Sequence, residues 1–396
     1  MRFVFVTDEL PRPGAAGHLA MNHAIISWLQ GLDHQVTVLL LGTRLAWPVE
    51  RYGIAPVAGP QVTAWAGFVL PRSPRALAAI LLRAAVRGLP SPVARWARGR
   101  RHRADAVLGR FCSAAEADWA ARYIAREKPD AVLIDTLFRA ALLAAPALRG
   151  INSVIIAHDV FHRRHRALVE AGYSVRPRHL TCADEIAALS GARYIAAIQH
   201  DEAALLRKLC ATQHVLAAPM PALPCPPPEG RQRKPGRLVF VGSASLPNLD
   251  GLRWFFAEIW PRLGSAVSLD LIGDCGAALR AVPPGVIRHG RVQDLHTRLH
   301  EASLAISPLR VGSGLKVKLL DYARHGLVTV ATPCSLEGFV ADATAPFVSA
   351  ASPEDFAASI RRQLAAPARP GLALDYVTRH YSIEASFGAL RAALGA

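Results

Sequence analysis

The stretch Pro308–Gly326, PLRVGSGLKVKLLDYARHG, combines residue types that bind a phosphorylated ligand. In a Gly312–Gly314 turn, glycines let backbone N–H groups approach an anion without obstruction from a Cβ atom. The helical pattern that follows directs the positive end of its dipole at the same place. Lys316 and Lys318 add full charges, and Asp321 can accept hydrogen bonds from a diol. The pattern predicts a site for a nucleoside diphosphate and its ribose. The alternative is an ordinary strand-to-helix turn with solvated lysines.

Two further features could act on a substrate. His158 follows the apolar run SVIIA and precedes Asp159, which places its imidazole at the carboxyl end of a predicted strand. The alternative here is a His-Asp turn that only caps the next segment. Residues Gly14–Gly17, GAAG, form a predicted loop that either approaches a diphosphate or an acceptor, or serves only as a turn.

Apolar runs that predict buried strands alternate with helical patterns in both halves of the chain. Continuous Val, Ile and Leu runs separated by helices are typical of parallel sheets covered on both faces. The strands predicted in the first half are Phe3–Thr7, Gln35–Leu41, Ala131–Asp135, Ser153–Ala157, Tyr194–Ile198 and His214–Ala217, with helices at His18–Leu32 and Ser113–Glu127. Those predicted in the second half are Leu238–Val241, Ser268–Ile272, Val286–His289, Leu304–Ser307, Val328–Ala331 and Pro346–Val348.

A chain of 396 residues is longer than the chains that usually fold around a single hydrophobic core, so two domains are expected. Between the halves, the proline-rich segment Pro219–Arg237 cannot continue a helix or a central strand. We therefore predict a first α/β domain over residues 1–218, a linker over 219–236 and a second domain over 237–375. A C-terminal helix over 376–396 is expected to pack back on the first domain. Both domains are expected to be doubly wound and Rossmann-like, and to face each other across a ligand-binding cleft.

The positive charge of the chain is concentrated in one segment. The net charge is +16, and residues 72–110 alone hold ten arginines and one acidic residue, a local net charge of +9. Apolar residues, Trp96 among them, are interleaved with these arginines. Such a segment suits an anionic membrane surface. The alternatives are nucleic acid as the polyanion and a basic helical face with no partner.

The remaining composition narrows the class of protein. No apolar run reaches the roughly 18 residues that span a bilayer, and the start MRFVFVTDEL lacks the features of a signal peptide. Six scattered cysteines without a CxxC pair argue against a disulfide framework and a zinc site, so a reducing, cytoplasmic location is expected. The sequence has no GxSxG, P-loop, HExxH or GxGxxG motif, and His18, His23, His162 and His165 are not spaced as metal ligands. No metal and no resident cofactor are predicted.

The second half resembles a known family in three segments: GSASLPNLDGLRWFFAEIWPRL, LIGDCG, and HGRVQDLHTRLHEASLAISPLRVGSGLKVKLLDYARHGLVTVATPCSLEGF. Together they resemble the donor-binding domain of retaining glycosyltransferases with the GT-B fold, in the large "group 1" or family 4 class. In the first half, VTDELPRPGAAGHLAMNHAIISWLQGLDHQVTVLLLG resembles the opening strand, loop and helix of these enzymes. The segments IIAHDVFHRR and HYSIEASFGALRAAL resemble their strand-end histidine segment and C-terminal helix.

The resemblance implies roles for individual residues. It assigns to the donor Gly242, Arg291, Val292, Arg310, Gly312, Ser313, Gly314, Lys316 and Asp321. Lys316 would stabilise the departing diphosphate, His158 would lie beside the anomeric centre, and Gly14 and Gly17 would belong to a loop near the diphosphate or acceptor. In this fold, basic side chains and helix N-termini usually replace a divalent metal.

The sequence departs from the family pattern at two places. Relatives carry an Arg and a Lys in the loop after the first strand of this domain, whereas GSASLPN has Ser243 and Asn248 and no basic residue. Relatives also carry two glutamates eight positions apart, where this chain has Ser313 and Asp321. These departures shift the expected charge stabilisation onto Lys316 and leave the donor sugar undefined.

The resulting expectation is a metal-independent, retaining transfer of a sugar from a nucleoside diphosphate sugar to a lipid-linked or envelope glycan acceptor. The arginine-rich segment would meet that acceptor at the inner membrane surface. A nucleotide-sugar epimerase of the same fold and a binding protein with a decayed site are the alternatives.

Overall fold

A computed structural model describes residues 1–13, 17–88, 106–312, 315–367 and 369–396. The chain divides into two compact units. Unit 1 comprises Met1–Ile198, Glu202–Ala218 and Ala389–Ala396, and unit 2 comprises Gln199–Asp201 and Pro219–Gly388. The last eight residues therefore belong with the N-terminal part of the chain, where the side-chain amide of Asn152 donates to the carbonyl of Ala393.

Strands and helices alternate through most of unit 1. Its strands are β1 (Arg2–Thr7), β2 (Gln35–Leu40), β3 (Glu50–Arg51), β4 (Val57–Ala58), β5 (Val62–Trp65), β6 (Phe68–Pro71), β7 (Ala106–Val107), β8 (Ala131–Asp135), β9 (Ser153–Ala157), β10 (Val175–Arg176), β11 (Tyr194–Ala197) and β12 (His214–Ala217). The helices over the same part of the chain are α1 (Gly17–Gly31), α2 (Pro74–Gly88), α3 (Ala114–Glu127), α4 (Phe161–Glu170), α5 (Cys182–Leu189) and α6 (His200–Leu209).

The main sheet of unit 1 is parallel and has the order β12-β11-β9-β8-β1-β2-β4. From β1 the chain proceeds to β2 on one side, and from β8 it proceeds to β9 on the other, so the order reverses between β1 and β8. The central strands β1, β8 and β9 are buried on both faces, with Val4, Val6 and Ile134 among the fully packed residues. Ligands of open α/β sheets bind at the carboxyl ends of strands beside such a reversal.

Unit 2 repeats this architecture with a smaller sheet. Its strands are β13 (Arg237–Val241), β14 (Ser268–Ile272), β15 (Val286–Gly290), β16 (Leu304–Ser307), β17 (Thr329–Ala331) and β18 (Phe347–Ser349). The helices of the C-terminal part are α7 (Leu246–Trp254), α8 (Cys275–Ala278), α9 (Leu295–Glu301), α10 (Val317–Arg324), α11 (Pro333–Leu336), α12 (Pro353–Ala365), α13 (Pro370–Tyr381) and α14 (Ile383–Leu394). All pairings in the sheet are parallel, in the order β15-β14-β13-β16-β17-β18, which reverses between β13 and β16.

The structure confirms the α/β fold class, and each strand predicted from an apolar run is present within one residue at either end. Both helices predicted in the first half are also present, and Ser113 caps α3 through a reciprocal pair of hydrogen bonds with Glu116. The sequence analysis missed the antiparallel sheet β3-β6-β5, because its short strands expose much of their surface and lack a long apolar run. Among the described helices, none has the length and apolar character needed to cross a membrane.

Candidate functional site

In unit 2, the loops that follow β13 and β16 pack against each other at the reversal of strand order. A Cβ atom on Gly251 of α7 would lie 2.4 Å from the carbonyl oxygen of Pro308, so only glycine permits this contact. A Cβ atom on Gly312 would lie 3.6 Å from the ring of Pro247. The backbone at Gly312, the first residue of the predicted anion-binding loop, therefore lies beside the N-terminal end of α7.

Lys316 and Lys318 both lie at this end of the sheet, at the start of α10. Lys316 is 7% exposed, and its Nζ donates to the carbonyl of Gly312 at 3.3 Å and lies 3.6 Å from Oε2 of Glu337. The Nζ of Lys318 donates to Oδ1 of Asn248 at 2.6 Å and lies 4.1 Å from the centre of the Phe240 ring. Burial lowers the pKa of Lys318 to about 7, and the positive charge of Lys316 contributes.

Asn248, in the first turn of α7, links the loop after β13 to Lys318 of α10. Its Nδ2 donates to the carbonyl of Ser243 at 3.0 Å while its Oδ1 accepts from Lys318. The segment GSASLPN after β13 thus holds Lys318 in place although it contains no basic residue. Lys318 is not the solvated helix lysine of the alternative interpretation.

Two hydroxyl groups, those of Ser335 and Thr332, fix the start of the loop after β16. The hydroxyl of Ser335 donates to the carbonyl of Ser307 at 2.7 Å and accepts from the backbone N–H of Leu309 at 3.3 Å. The hydroxyl of Thr332 donates to the carbonyl of Leu309. These buried contacts position the loop before Gly312, and the sequence analysis did not identify them because single serines and threonines carry no pattern.

The two arginines that the resemblance assigns to the donor are both engaged in ion pairs. Arg310 forms two hydrogen bonds with Asp250 and lies over the Trp254 ring at 5.9 Å. Arg291 follows β15 and binds Asp274 through Nε and Nη2. Each guanidinium is thereby held at the same edge of the sheet, with part of its surface exposed.

Asp321 lies one turn into α10 and is half-buried. Burial raises the pKa of its carboxyl group, and the charge of Arg324 opposes this shift. Val292, also assigned to the donor, packs partly buried against the small cluster that contains Val239 and Leu327. Gly242 follows β13 directly, and its carbonyl accepts from the N–H of Cys275 at 3.2 Å.

In unit 1, His158 lies at the carboxyl end of β9, as predicted, and is 8% exposed. Its Nε2 lies 3.0 Å from Oδ1 of Asp135 and 3.1 Å from Oδ1 of Asn22. Because both oxygens accept hydrogen bonds, Nε2 carries the proton. The buried Nδ1 has no hydrogen-bond partner within the part of the chain that the structure describes. A buried ring nitrogen without a partner indicates a place where a substrate hydroxyl can bind.

Asp135 connects His158 to a wider polar cluster. The hydroxyl of Thr7, at the end of β1, donates to Oδ2 of Asp135 at 2.9 Å across the reversal in strand order. Burial raises the pKa of Asp135, but the hydrogen bond from His158 and the charge of Arg139 outweigh this effect, so that pKa is well below its usual range. Arg139 also forms an ion pair with Asp8 and donates to Thr136.

The sequence analysis missed Asp135, Thr7 and Arg139, although a signal for two of them existed. Both Thr7 and Asp135 are polar residues that end an apolar strand, and their strands are neighbours at the reversal point. Arg139 lies on a 3₁₀ segment, Leu137–Ala144, and carried no such signal.

Some predicted residues fall outside the described ranges or on a different element. Gly14, Ser313 and Gly314 lie outside the described residues, as does 89–105, the central part of the arginine-rich segment. Gly17 is the first residue of α1. Gly312 is described and adopts a φ of +122°, a conformation that favours glycine.

Comparisons with known proteins agree with this architecture. Residues 235–366 match the family model "Glycosyl transferases group 1". A comparison with curated proteins found no match. Among solved structures, the chain is similar to a sucrose-phosphate synthase from Thermosynechococcus elongatus, with 13% identity, a TM-score of 0.67, and coverage of 100% of this chain and 99% of that chain.

Two further solved structures are similar over their full lengths. One is the lipopolysaccharide outer core galactosyltransferase WaaB in its apo form, with 12% identity, a TM-score of 0.59, and coverage of 100% and 99% of the two chains. The other is an E. coli trehalose-6-phosphate protein bound with UDP-2-fluoro glucose, with 12% identity, a TM-score of 0.58 and the same coverage. The chain therefore has the GT-B fold of these glycosyltransferases, and the group 1 family model matches a third of it.

Proposed function

We propose that this protein transfers a sugar from a nucleoside diphosphate sugar to an acceptor. The observation that carries the proposal is the lysine pair at the start of α10. Lys318 is largely buried beside an aromatic ring, and within the described residues it has no carboxylate partner. A buried ammonium group without an anion is costly, which favours a site completed by an anionic ligand.

A diphosphate is the ligand that this arrangement fits best. Lys316, Lys318 and the N-terminus of α10 all lie at one strand-order reversal, where ligands of doubly wound sheets bind. The family match over residues 235–366 supports a sugar nucleotide as the source of this diphosphate. Asp321, one turn along the same helix, is proposed to accept hydrogen bonds from the ribose.

The proposed mechanism places charge stabilisation on the leaving group. Negative charge develops on the diphosphate as the glycosidic bond breaks, and Lys316 with Lys318 stabilises it more strongly in the transition state than in the bound donor. We propose that the reaction needs no divalent metal and retains the anomeric configuration. In the proposed route, the acceptor hydroxyl attacks the sugar from the face that the diphosphate leaves, and the departing phosphate accepts the proton of that hydroxyl.

His158 is proposed to bind a hydroxyl group of a substrate sugar. Asp135 and Asn22 hold the Nε2–H of its ring, so the Nδ1 lone pair is left to accept a hydrogen bond from that hydroxyl. The group 1 resemblance supports a place for this histidine beside the anomeric centre. Its role here is orientation of the sugar, and no protein nucleophile is required.

The acceptor is proposed to be a lipid-linked saccharide met at an anionic membrane surface. Besides the arginines of residues 72–110, the neighbouring elements expose large apolar side chains: Trp65 of β5 is 77% exposed, and Leu81 and Leu82 of α2 are 51% and 67% exposed. Exposed apolar side chains beside a cluster of positive charge are typical of peripheral membrane proteins. The described helices include none that could cross the bilayer, so the proposed attachment is peripheral.

A thermal-shift titration of the purified protein against UDP, GDP, ADP and NAD, each with and without magnesium, tests the donor site. Selective stabilisation by one diphosphate without magnesium is expected, because a ligand that binds only the native state raises its stability. Absence of a shift with all three diphosphates would support a decayed binding protein instead. Stabilisation by NAD alone would contradict the proposal.

Product analysis then separates transfer from epimerisation. The preferred nucleotide's sugars are incubated with the protein without an acceptor, and the sugar product is identified. A transferase is expected to give at most slow hydrolysis to the free sugar. Conversion to an epimeric nucleotide sugar would establish the epimerase alternative.

A further inference from the structure

Unit 2 contains a cluster of one cysteine and three histidines that the donor site does not use. His296 and His300 lie four residues apart on α9, so their side chains share one face of the helix. His325 directly follows α10, and Cys225 lies in the proline-rich connection before β13. The backbone N–H of Cys225 donates to the carbonyl of Arg324 at 2.7 Å, which fixes this connection beside the end of α10.

The ligand atoms of these residues converge. One ligand atom each from Cys225, His300 and His325 lies within 4.8 Å of the other two. The Nδ1 of His296 lies 3.5 Å from the Sγ of Cys225 and 2.8 Å from the Nε2 of His325. Four ligands at about 2.0 to 2.3 Å from a central zinc ion lie roughly 3.3 to 3.8 Å from one another, so the observed separations need only small adjustments.

Hydrogen bonds leave one lone pair on the ring of each buried histidine of the cluster. The Nδ1 of His325 donates to the backbone carbonyl of Asp321 at 2.6 Å, so Nε2, which faces His296, carries the lone pair. The Nε2 of His300 donates to the carbonyl of Cys225 at 2.9 Å, so the lone pair of this ring is on Nδ1. A histidine ligand whose other ring nitrogen donates to a backbone carbonyl is the usual arrangement around protein-bound metals.

The four side chains differ in how far they are exposed to solvent. His325 is 2% exposed. His300 is 5% exposed, whereas His296 is exposed and Cys225 is partly so. The cluster therefore has a buried side and an open side through which an ion can enter.

We propose that Cys225, His300 and His325, with His296 as the fourth ligand, bind one zinc ion or a similar divalent transition metal. Thiolate sulfur and imidazole nitrogen are ligands that tetrahedral zinc accepts, and they make a poor site for magnesium or calcium, which prefer oxygen ligands. All four positions would be filled by protein, so the ion would be structural. The prediction of no zinc site from the sequence rested on the absence of a CxxC pair, and it did not consider ligands spread over residues 225–325.

The ion would add a link among three segments that already meet through hydrogen bonds and, for α9 and α10, through a shared apolar cluster. It would tie the connection before β13 to α9 and to the end of α10, the helix that begins with the lysine pair. Its effect on the proposed donor site would be indirect, through the position of α10. The proposal does not depend on the proposed function, because metal binding can be measured without any sugar nucleotide.

Cobalt(II) titration of the metal-stripped full chain tests the site, since tetrahedral thiolate-bound cobalt has characteristic absorption. We expect binding of one ion per chain, a thiolate charge-transfer band, displacement by zinc and a higher melting temperature with zinc. Cys225→Ser is expected to remove the band and weaken cobalt affinity about 100-fold. The control Cys182→Ser, at the start of α5, changes a cysteine of unit 1 and should bind as the wild type does.

His296→Ala provides a second variant that should fold, because this side chain is exposed. It is expected to weaken cobalt affinity about 10-fold or more while keeping the thiolate band. Cobalt binding without that band, or equal affinity in Cys225→Ser and the wild type, would overturn the proposal. A chelator would lower the melting temperature through this site, so the metal independence of sugar transfer must be tested by omitting magnesium.

Discussion

A lysine buried without a carboxylate partner destabilises a protein until an anion joins it, and within the described residues Lys318 is such a residue. Its pKa of about 7 in the folded chain lies far below the value of about 10.4 expected in the unfolded chain, because burial disfavours the ammonium form. Removal of the charge should therefore stabilise the ligand-free protein and weaken its affinity for the anionic ligand. These opposite effects distinguish a functional lysine from a structural one.

Lys318→Met is expected to raise the free energy of unfolding, and most strongly below about pH 7. In that range Lys318 is protonated in both the folded and the unfolded wild type, so the full cost of burying its ammonium group is present. Between about pH 7 and 10 the unfolded chain binds more protons, so the wild type should gain stability relative to the variant as pH rises. Urea unfolding at pH 6 and pH 9 measures both effects. Lys208→Met changes an exposed lysine of α6 and serves as the control. Loss of stability in Lys318→Met at pH 6 would contradict the claim that burial of the Lys318 ammonium group destabilises the ligand-free protein.

Lys316→Ala is expected to reduce kcat about 10²-fold or more, because it removes a preorganised charge from the leaving diphosphate. The contact with Glu337 is 3.6 Å long and involves an exposed carboxylate, so its loss should change stability little. Steady-state kinetics with the preferred sugar nucleotide measure the effect. A decrease below threefold would count against the assigned role.

Asp135→Asn tests the orientation of His158. The carboxylate accepts hydrogen bonds from the His158 ring and from Thr7, one on each oxygen. The amide of asparagine has a single acceptor oxygen, so it can keep only one of these two hydrogen bonds in the same geometry. We expect kcat to decrease by roughly 10² with nucleoside diphosphate affinity unchanged, because Lys316 and Lys318 are in the other unit. Asp118→Asn, on the exposed face of α3, is the matched control. Equal losses of kcat and diphosphate affinity would indicate a general structural defect.

At the scale of secondary structure, the sequence predicted the strands far better than the contacts at their ends. Strands such as Ala131–Asp135 and Ser268–Ile272 were predicted to the residue because a doubly wound sheet buries both faces and demands continuous apolar runs. The link between Asn248 and Lys318 joins residues 70 positions apart, and no local pattern encodes it. The Cys225 and histidine cluster was missed for the same reason, since its members come from three elements.

A close backbone contact between Gly273 and Gly242 in unit 2 can be tested by substitution. Gly273 follows β14 with a φ of +95°, and a Cβ atom there would lie 2.3 Å from the carbonyl oxygen of Gly242. Gly273→Ala is expected to destabilise the protein by about 2 kcal/mol or more, from a strained backbone and a displaced loop. That loop belongs to the candidate site, so diphosphate affinity should decrease as well.

Gly264→Ala separates backbone strain from the clash. Gly264 has a φ of +80°, but a Cβ atom there would meet nothing within 4 Å. This variant should lose about 1 kcal/mol and keep its diphosphate affinity. Denaturant unfolding of both variants gives the comparison, and equal losses would show that contact with Gly242 is unimportant.

At the scale of the whole molecule, charge and exposed apolar surface occur in the same part of the chain. The net charge is +16, and residues 72–110 contribute +9 of it. Within this segment α2 exposes Leu81 and Leu82, and just before it β6 exposes Phe68. Electrostatic attraction brings such a surface to anionic lipid, and apolar side chains then enter the interface.

Flotation with vesicles that contain anionic lipid is expected to carry the protein to the top of the gradient, and neutral vesicles should not. Raising the salt concentration should weaken binding, because screening reduces the contribution of about 1 kcal/mol per basic residue.

Replacement of Arg95, Arg98, Arg100 and Arg101 by Gln should abolish flotation at physiological salt, and Leu81→Ser with Leu82→Ser should weaken binding even at low salt. Four Arg→Gln changes at Arg361, Arg362, Arg369 and Arg391 keep the same net charge change and should leave flotation intact. Equal losses in both quadruple variants would show that only the total charge matters and that residues 72–110 are not a membrane-binding surface.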